Sequence, residues 1–498
     1  MKHAPYRLTP LRLSWALLSS AALAGCAVGP NYVRPSAPLS PTFKEAPGGW
    51  SPAAPADTLD RGDWWSLFGD PILNGLEAKV QVSNQNVIAA EAAYREARAV
   101  VSADRAQLFP TVNLTGSGTK SGTGGGGKGS GTVITGPGGS TVIAGGSGSS
   151  TTTQYRVTAD ASWAPDIWGR IRRTIEAAKS NAQASATDLA AAQLLAQAEL
   201  ATDYFGLRAA DAEIALDQAT VTAYQRSLTI TQNRYNAGIT VRSDVYQAQT
   251  QLANAQADLA GQMQTRANFE HAIAVLTGEA PGNFTLAAAP WIGTVPAVPP
   301  VVPSAILQRR PDIAGAERRV QAANAQIGVQ VAAYYPDITL SGSYGFAASE
   351  LGHLLSSANS LWSYGGSIAE TIFDAGARRA QVNEAKAAHD QAVAKYRETV
   401  LEALQDVENQ LAATRVLTQQ ADLRRQASEA ADAAEKIFLN QYSSGTVAYT
   451  DVVQAQTAAY SARIAVVQTA AQRQTTAVAL VQSLGGGWKA GTDPKVSR

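Results

Sequence analysis

Residues 233–250 read NRYNAGITVRSDVYQAQT, and residues 440–457 repeat this pattern as NQYSSGTVAYTDVVQAQT, with 9 of 18 positions identical. In each copy a glycine, Gly238 or Gly445, follows a long alanine-rich stretch and can adopt the left-handed conformation that ends a helix. A Ser-Asp or Thr-Asp pair then favours the start of a second helix. Each copy therefore predicts a helix, a tight turn and a returning helix, and the chain contains an internal duplication.

The stretch that leads into each turn is unusually long. Residues 170–235 contain no proline, are rich in Ala, Gln, Leu and Glu, and carry apolar residues at mostly three-, four- or seven-residue spacing; residues 375–442 have the same character. This pattern predicts one uninterrupted helix in each repeat. At 1.5 Å per residue, the first would be about 100 Å long. Shorter helices are predicted at 72–107 and 241–277, and stacked end to end they match one long helix.

Alternating sequences predict strands upstream of each long helix. In residues 154–163 polar residues alternate with an apolar set: Tyr155, Val157, Ala159, Ala161 and Trp163. This alternation is typical of a transmembrane barrel strand, which has lipid on one side and water on the other. A strand of a soluble sandwich alternates in the same way, so both interpretations stay open here. Similar strands are predicted after residues 108 and 334, and a less regular fourth one around 362–373, where Glu370 falls on the apolar face.

The first 26 residues have the parts of an export signal: basic residues, an 11-residue apolar stretch and the sequence Leu23-Ala24-Gly25-Cys26. The apolar stretch is too short to span a bilayer. Small residues before the only cysteine resemble a bacterial lipobox, which implies lipidation of Cys26 and, because Ala27 follows, delivery to the outer membrane. The alternative is an ordinary signal with a chance cysteine. We expect a signal peptide at 1–25 and a lipid-anchored, extended, proline-rich tether at 26–63.

Composition excludes several classes of function. The chain has 40 basic and 40 acidic residues, which argues against a nucleic-acid-binding protein. One cysteine and four scattered histidines exclude a disulfide framework and a zinc, haem or iron–sulfur site within one chain, so we expect no metal and no cofactor. No Ser/His/Asp or Cys/His grouping indicates an enzyme. Hydrophobic residues reach 45% but aromatics only 7%, and the abundant alanine suits closely packed helices.

Four strands cannot close a barrel, because the smallest ordinary barrels need about eight and an open edge cannot face lipid. Three identical chains supply 12 strands and remove every edge. The predicted fold class is therefore an α+β membrane protein. Four barrel strands per chain form a 12-stranded β-barrel as a trimer, continued by a long α-helical periplasmic barrel. The expected domains are a first repeat at 64–290, a second repeat at 291–484 and a C-terminal tail at 485–498.

The chain resembles the TolC-like outer-membrane efflux factor family, in particular its lipid-anchored NodT-type, OprM-like branch. The resemblance is carried by motifs from Cys26 to the C-terminus: CAVGPNY at 26–32, WWSLFGDP at 64–71, RRPDIAGAERR at 309–319, NAQIG at 324–328, IFDAG at 372–376 and LGGGW at 484–488. It implies an outer-membrane exit duct of a tripartite efflux pump, not an enzyme, that passively conducts drugs or toxic compounds. A structural coiled-coil outer-membrane lipoprotein is the alternative, but it leaves the alternating strands unexplained.

The resemblance also implies partners and site residues. The partners are two further copies in a homotrimer, a periplasmic adaptor (membrane fusion) protein, an inner-membrane RND-type pump and outer-membrane lipid. At the periplasmic aperture, Asp244 matches the linking aspartate of related ducts, Tyr442 its tyrosine partner and Asp451 a ring aspartate. Gln454 stands where related ducts place another acid, and Val447 or Thr457 replaces the basic residue that some ducts use for a gating link. We therefore expect a less acidic and less firmly latched aperture. The alternative role of both aspartates is helix capping.

Two further regions of the sequence are predicted to be turns or loops. The turns at 236–240 and 443–447 are expected to contact the adaptor as six similar tips in a trimer, through Asn236, Gly238, Ser443 and Gly445; the alternative is two simple tight turns. Residues 117–150 contain 14 glycines in 34 positions and are expected to form a flexible surface loop. Its run at 122–129 nearly spells a phosphate-binding loop but lacks the Ser or Thr after Lys128 and lies between strands.

Overall fold

The computed structural model describes residues 27–38, 43–45, 61–122, 133–136, 139–142, 151–291, 293, 295–296 and 310–486. The expected signal peptide and Cys26, the glycine run after Gly122 and most of the expected C-terminal tail lie outside the described residues.

Seven α-helices account for most of the described chain. They are α1 (Pro71–Ser83), α2 (Gln85–Ala106), α3 (Arg170–Asn236), α4 (Arg242–Leu276), α5 (Pro311–Ala332), α6 (Ala377–Ser443) and α7 (Tyr449–Ser483). The long helices α3 and α6 each contain 67 residues, and the returning helices α4 and α7 each contain 35. The equal lengths confirm the predicted duplication. None of these described helices combines the length and the hydropathy that a membrane-spanning helix needs.

The single helix predicted at 72–107 is wrong in one respect, because the structure has two helices there. Asn84 has an extended backbone, with φ −67° and ψ 122°, and separates α1 from α2. Its Oδ1 accepts hydrogen bonds from the backbone N–H groups of Asn86 (3.0 Å) and Val87 (3.2 Å), which caps α2. Its Nδ2 donates to the carbonyl of Leu276 (2.9 Å), so a tertiary contact holds the break.

The strands form one antiparallel sheet and one short hairpin. The sheet contains β1 (Thr111–Gly122), β4 (Thr151–Trp163), β5 (Asp337–Ala348) and β6 (Ser360–Ala369), in that order; β2 (Val133–Gly136) pairs only with β3 (Gly139–Val142) among the described strands. The strand predicted to reach residue 373 ends at Ala369, so Glu370 does not lie on its apolar face. Before α6, Asp374 accepts hydrogen bonds from the N–H groups of Gly376 (3.0 Å) and Arg378 (3.2 Å).

The register places most of the large apolar residues of the four strands on one face, with Leu361 on the other. One row across the sheet is Leu114, Ala159, Tyr344 and Trp362, and the adjacent row is Asn113, Asp160, Ser343 and Ser363. The predicted alternation is therefore confirmed in each strand. Leu114 is 78% exposed and Trp362 68% exposed, whereas the apolar face of a sandwich would be covered by a second sheet. An exposed apolar face favours the barrel interpretation.

The described residues divide into two compact units, each built from both repeats. The sheet unit contains the described part of Met1–Asn31, Val100–Ala178 and Asn324–Ala387; the helical unit contains Tyr32–Ala99, Lys179–Ala323 and the described part of Ala388–Arg498. The helical unit has a core around Trp64, Leu73 and Tyr204 and another around Ile313 and Tyr396. Residues of the expected tether also pack here, since Phe43 is buried in the second core.

Candidate functional site

The two turns that the repeat predicted have the same backbone. At the first, the N–H of Gly238 donates to the carbonyl of Tyr235 (2.9 Å) and the N–H of Ile239 to that of Arg234 (2.9 Å). At the second, the N–H of Gly445 donates to Tyr442 (3.0 Å) in the same way. Both glycines have positive φ, +72° and +81°. Both helices therefore end in a Schellman motif. This motif needs a left-handed residue at the glycine position, and glycine adopts that conformation without a clash because it has no Cβ.

The two predicted aspartates lie in the first turns of the returning helices, and both are half-buried. Asp244 accepts a hydrogen bond from the hydroxyl of Thr240. Asp451 accepts one from the backbone N–H of Ala448 (3.2 Å), so it caps α7. Gln454 is exposed one turn further along α7. Capping is thus part of the role of Asp451, and its charge also lies next to the turn.

Tyr442 and Tyr449 form a buried aromatic cluster beside the second turn. Tyr442 is 5% exposed, its ring centre is 5.3 Å from that of Tyr449, and the guanidinium of Arg234 lies 4.8 Å from its ring centre. Its hydroxyl donates to Thr231 (3.4 Å). Within one chain the structure therefore pairs Tyr442 with Thr231 and Asp244 with Thr240. Burial, with smaller effects from Tyr442 and other neighbours, raises the pKa of Tyr449.

A polar stripe on α3 was not predicted from the sequence. We call it the polar seam; its members repeat at seven-residue intervals in two series: Glu213, Thr220, Ser227 and Arg234, and Asp217, Tyr224 and Thr231. All except the half-buried Arg234 are less than 10% exposed. Because polar helix positions are ordinarily solvated, their type alone gave no sign of burial. The seven-residue spacing was the signal that could have identified them.

The polar seam holds α3 against α6 and α7. The hydroxyl of Tyr460 donates to Asp217 (2.9 Å), and Gln456 Nε2 donates to the hydroxyl of Ser227 (3.2 Å). Arg234 donates to the carbonyl of Ser443 in the second turn (3.1 Å). Burial raises the pKa of the Asp217 carboxyl, and the hydrogen bond from Tyr460 opposes this shift. Hydrogen bonds therefore connect the two helical hairpins along this stripe, beside the apolar cluster of Ala248, Tyr442, Tyr449 and Val452.

The side chains at the two tips differ, although their backbones match. The first tip exposes Ile239 (63%), Val241 (63%) and Tyr246 (53%). Thr446 and Ala448 occupy the positions of Ile239 and Val241 at the second tip. The first tip is therefore the more apolar surface.

Comparison with known proteins decides the family. A sequence profile described as "Outer membrane efflux protein" matches residues 78–279 and 302–486, one segment in each repeat.

The chain belongs to the outer membrane efflux protein family.

Two curated relatives and two solved structures illustrate the similarity. The probable efflux pump outer membrane protein TtgC of Pseudomonas putida is 30% identical over 469 residues, covering 94% of this chain and 93% of TtgC. The cation efflux system protein CusC of Escherichia coli is 27% identical over 470 residues, covering 94% of this chain and 97% of CusC. The outer-membrane channel OprN has 30% identity and a TM-score of 0.79, covering 93% of this chain and 100% of its own. The open state of the Neisseria gonorrhoeae MtrE channel has 27% identity and a TM-score of 0.79, covering 93% and 99%.

These similarities confirm the resemblance, the fold class and the function that the sequence predicted. The efflux protein is an outer-membrane exit duct whose chain combines four barrel strands with a long helical section. Its duplicated helical hairpins bring the predicted tip residues into two matching turns.

Proposed function

We propose that three copies of this efflux protein form a passive duct, not an enzyme, which carries small molecules from a periplasmic adaptor and an inner-membrane RND-type pump to the exterior. The four-stranded sheet with an exposed apolar face is the observation that carries this proposal, because its outer strands β1 and β6 leave unpaired backbone edges. Three sheets closing edge to edge satisfy those edges in lipid. A structural coiled-coil lipoprotein would not require an exposed apolar sheet face.

Reconstitution tests the duct directly. We expect purified protein to migrate as a trimer in detergent and to give discrete conductance steps in planar bilayers. In a strain deprived of its own efflux ducts, the full chain with its cognate adaptor and pump should lower accumulation of a fluorescent substrate. A stable monomer without conductance would contradict the proposal.

The duct itself is not proposed to select its cargo. Relatives of similar identity are named for efflux of antibiotics, toluene and cations. Similar ducts are thus associated with chemically different substrates. This supports a duct that conducts drugs and toxic compounds while the adaptor and pump select them. Lipidation at Cys26, a signal peptide at 1–25 and the domain bounds at 63, 290 and 484 remain part of the proposal.

The aperture lies at the helix tips in this proposal. Asp451 from three chains surrounds the axis there, with Gln454 one turn further along α7. Asp244 is the linking aspartate in this proposal, and Tyr442, its proposed partner, is buried. Three carboxylates close together repel one another and attract cations, so this ring opposes tight closure. The polar seam opposes opening, because separating the hairpins exposes its hydrogen-bonded groups to water.

The first tip is proposed as the stronger adaptor contact. Ile239 and Val241 offer exposed apolar area close to Asn236 and Gly238, whereas Ser443 and Gly445 are followed by Thr446. We expect Ile239→Asp to reduce crosslinking to the adaptor about tenfold or more, because a charge placed in an apolar contact must be desolvated. Crosslinking yield in membranes is the measurement.

Thr446→Asp is the matched control for Ile239→Asp. It introduces the same charge at the equivalent position of the second turn, and we expect a smaller loss of crosslinking. Equal losses for the two variants would contradict the proposed difference between the tips.

A further inference from the structure

The segment directly after Cys26 occupies a built site in the sheet unit. Its key side chain, Arg173, is only 4% exposed and donates to the carbonyls of Val28 (3.2 Å) and Gly29 (3.3 Å) and to Oδ1 of Asn31 (2.9 Å). The N–H of Val28 donates in turn to the carbonyl of Trp168 (3.1 Å). A buried guanidinium that binds the backbone of another segment forms charge-assisted hydrogen bonds, which are stronger than neutral ones.

Glycines make this close approach possible. A Cβ on Gly29 would lie 2.5 Å from the Cα of Gly328, and a Cβ on Gly169 would lie 2.7 Å from the Cα of Ala27. A Cβ on Gly328 would lie 2.9 Å from Cγ of Arg173. Gly29 and Gly169 also have positive φ, +95° and +81°. The site is therefore shaped around residues 27–31, and side chains at these glycines would displace the segment.

The site joins both repeats of the sheet unit. Arg173 lies in the first turns of α3, in the first repeat, whereas Asn324 on α5, in the second repeat, donates to the carbonyl of Pro30 (3.0 Å). The residues that follow β4 also contact the residues that precede β5. Trp168 donates to the carbonyl of Pro336 (2.9 Å), directly before β5, and its ring stacks on Tyr335 at 4.8 Å. Tryptophan and tyrosine are enriched where a membrane protein meets the lipid–water interface.

We propose that this site is the receptor for the mature N-terminus, with Arg173 as its positioning residue, and that docking fixes residue 26 at the level of the Trp168–Tyr335 pair. The membrane-level part of this inference rests on the lipidation of Cys26, which belongs to the proposed function. Undocked, residues 27–31 could extend about 17 Å, more than half the roughly 30 Å of hydrocarbon. Docked, the lipid and the strands enter the membrane at one level.

The test follows the exposure of a thiol placed in the segment. Val28→Cys is introduced into the full chain, and its labelling rate with a membrane-impermeant maleimide is measured in outer-membrane fractions. We expect slow labelling in this parent, and at least a tenfold faster rate when Arg173→Met or Gly29→Ala is added. Arg170→Met and Gly282→Ala are the matched controls. Arg170 is exposed near Arg173, and a Cβ on Gly282 would meet no atom of the described residues within 4 Å, so both variants should label like the parent.

Each result is decisive. Parent-like labelling of both Arg173→Met and Gly29→Ala, with conductance intact, would overturn the receptor site. If Arg173→Met does not fold, Gly29→Ala carries the test, because it leaves the guanidinium in place. Mass spectrometry of the N-terminal peptide reports acylation of Cys26 separately. Slow parent labelling without acylation would overturn the proposed lipid anchor and the membrane-level part of the inference, while supporting the docking site.

Discussion

Glu77 on α1 is an acid in an apolar environment. Glu77 is fully buried, and neither of its carboxyl oxygens has a hydrogen-bond partner within the part of the chain that the structure describes. Burial raises its pKa to about 9, so the group is protonated at neutral pH. In the unfolded chain it ionises near its ordinary value of 4.5. The folded state therefore binds the proton more tightly, and stability is lost as pH rises from about 4.5 towards 9.

We expect Glu77→Gln to remove this pH dependence. From pH 5 to pH 8 the unfolding temperature of the parent should fall relative to that of the variant, because each pH unit costs about 1.4 kcal/mol of stability in this window. Thermal unfolding in detergent measures the difference. Glu96→Gln, at an exposed position of α2, is the control and should follow the parent. Parallel curves for the parent and Glu77→Gln would disprove the buried-acid argument.

Asp451 combines a cap with a charge, and two substitutions separate these roles. Asp451→Ala removes both, whereas Asp451→Asn keeps an acceptor for the N–H of Ala448 and removes only the charge. We expect both variants to lose cation preference in planar bilayers, with a lower ratio of cation to anion permeability. If Asp451→Asn keeps the parent's selectivity while Asp451→Ala destabilises the protein, the residue acts only as a cap.

At the scale of elements, the polar seam sets how firmly the two helical hairpins hold together. Tyr460→Phe deletes the hydroxyl that bonds Asp217 and leaves a buried carboxyl without that donor, which costs about 1–3 kcal/mol per chain. We expect a longer open time in bilayer recordings, because the packed arrangement loses stability. Tyr364→Phe, at an exposed tyrosine on β6, is the matched control and should gate like the parent. Unchanged gating of Tyr460→Phe would exclude the seam as a latch.

The elements themselves were largely predictable, and the misses have a common cause. Periodicity identified both long helices and the alternation of the strands because it is local. The break at Asn84 depends on its bond to Leu276, 192 residues away, and no proline or glycine marks it. Glu77 and Asp217 are acids that sequence analysis reads as solvated, and only tertiary packing buries them. The features that were not predicted depend on contacts between residues that are far apart in the sequence.

At the scale of the whole molecule, the sheet predicts how copies assemble. In one chain β1 and β6 are the two outer strands of four, so their backbones are about 14 Å apart at 4.8 Å per strand. A disulfide needs Cα atoms within about 7 Å. A disulfide between β1 and β6 must therefore join different chains.

We expect Thr115→Cys on β1, combined in turn with a cysteine at Leu361, Ser363, Gly365 or Ser367 on β6, to give covalent dimers and trimers on oxidation for at least one pair. These positions lie on the polar face, where the cysteines of adjacent strands point the same way. Single-cysteine variants control for chance bridges. Because three sheets close into a ring, the ladder of products should stop at three chains; longer products would indicate an open array, and no inter-chain product for any pair would contradict edge-to-edge closure.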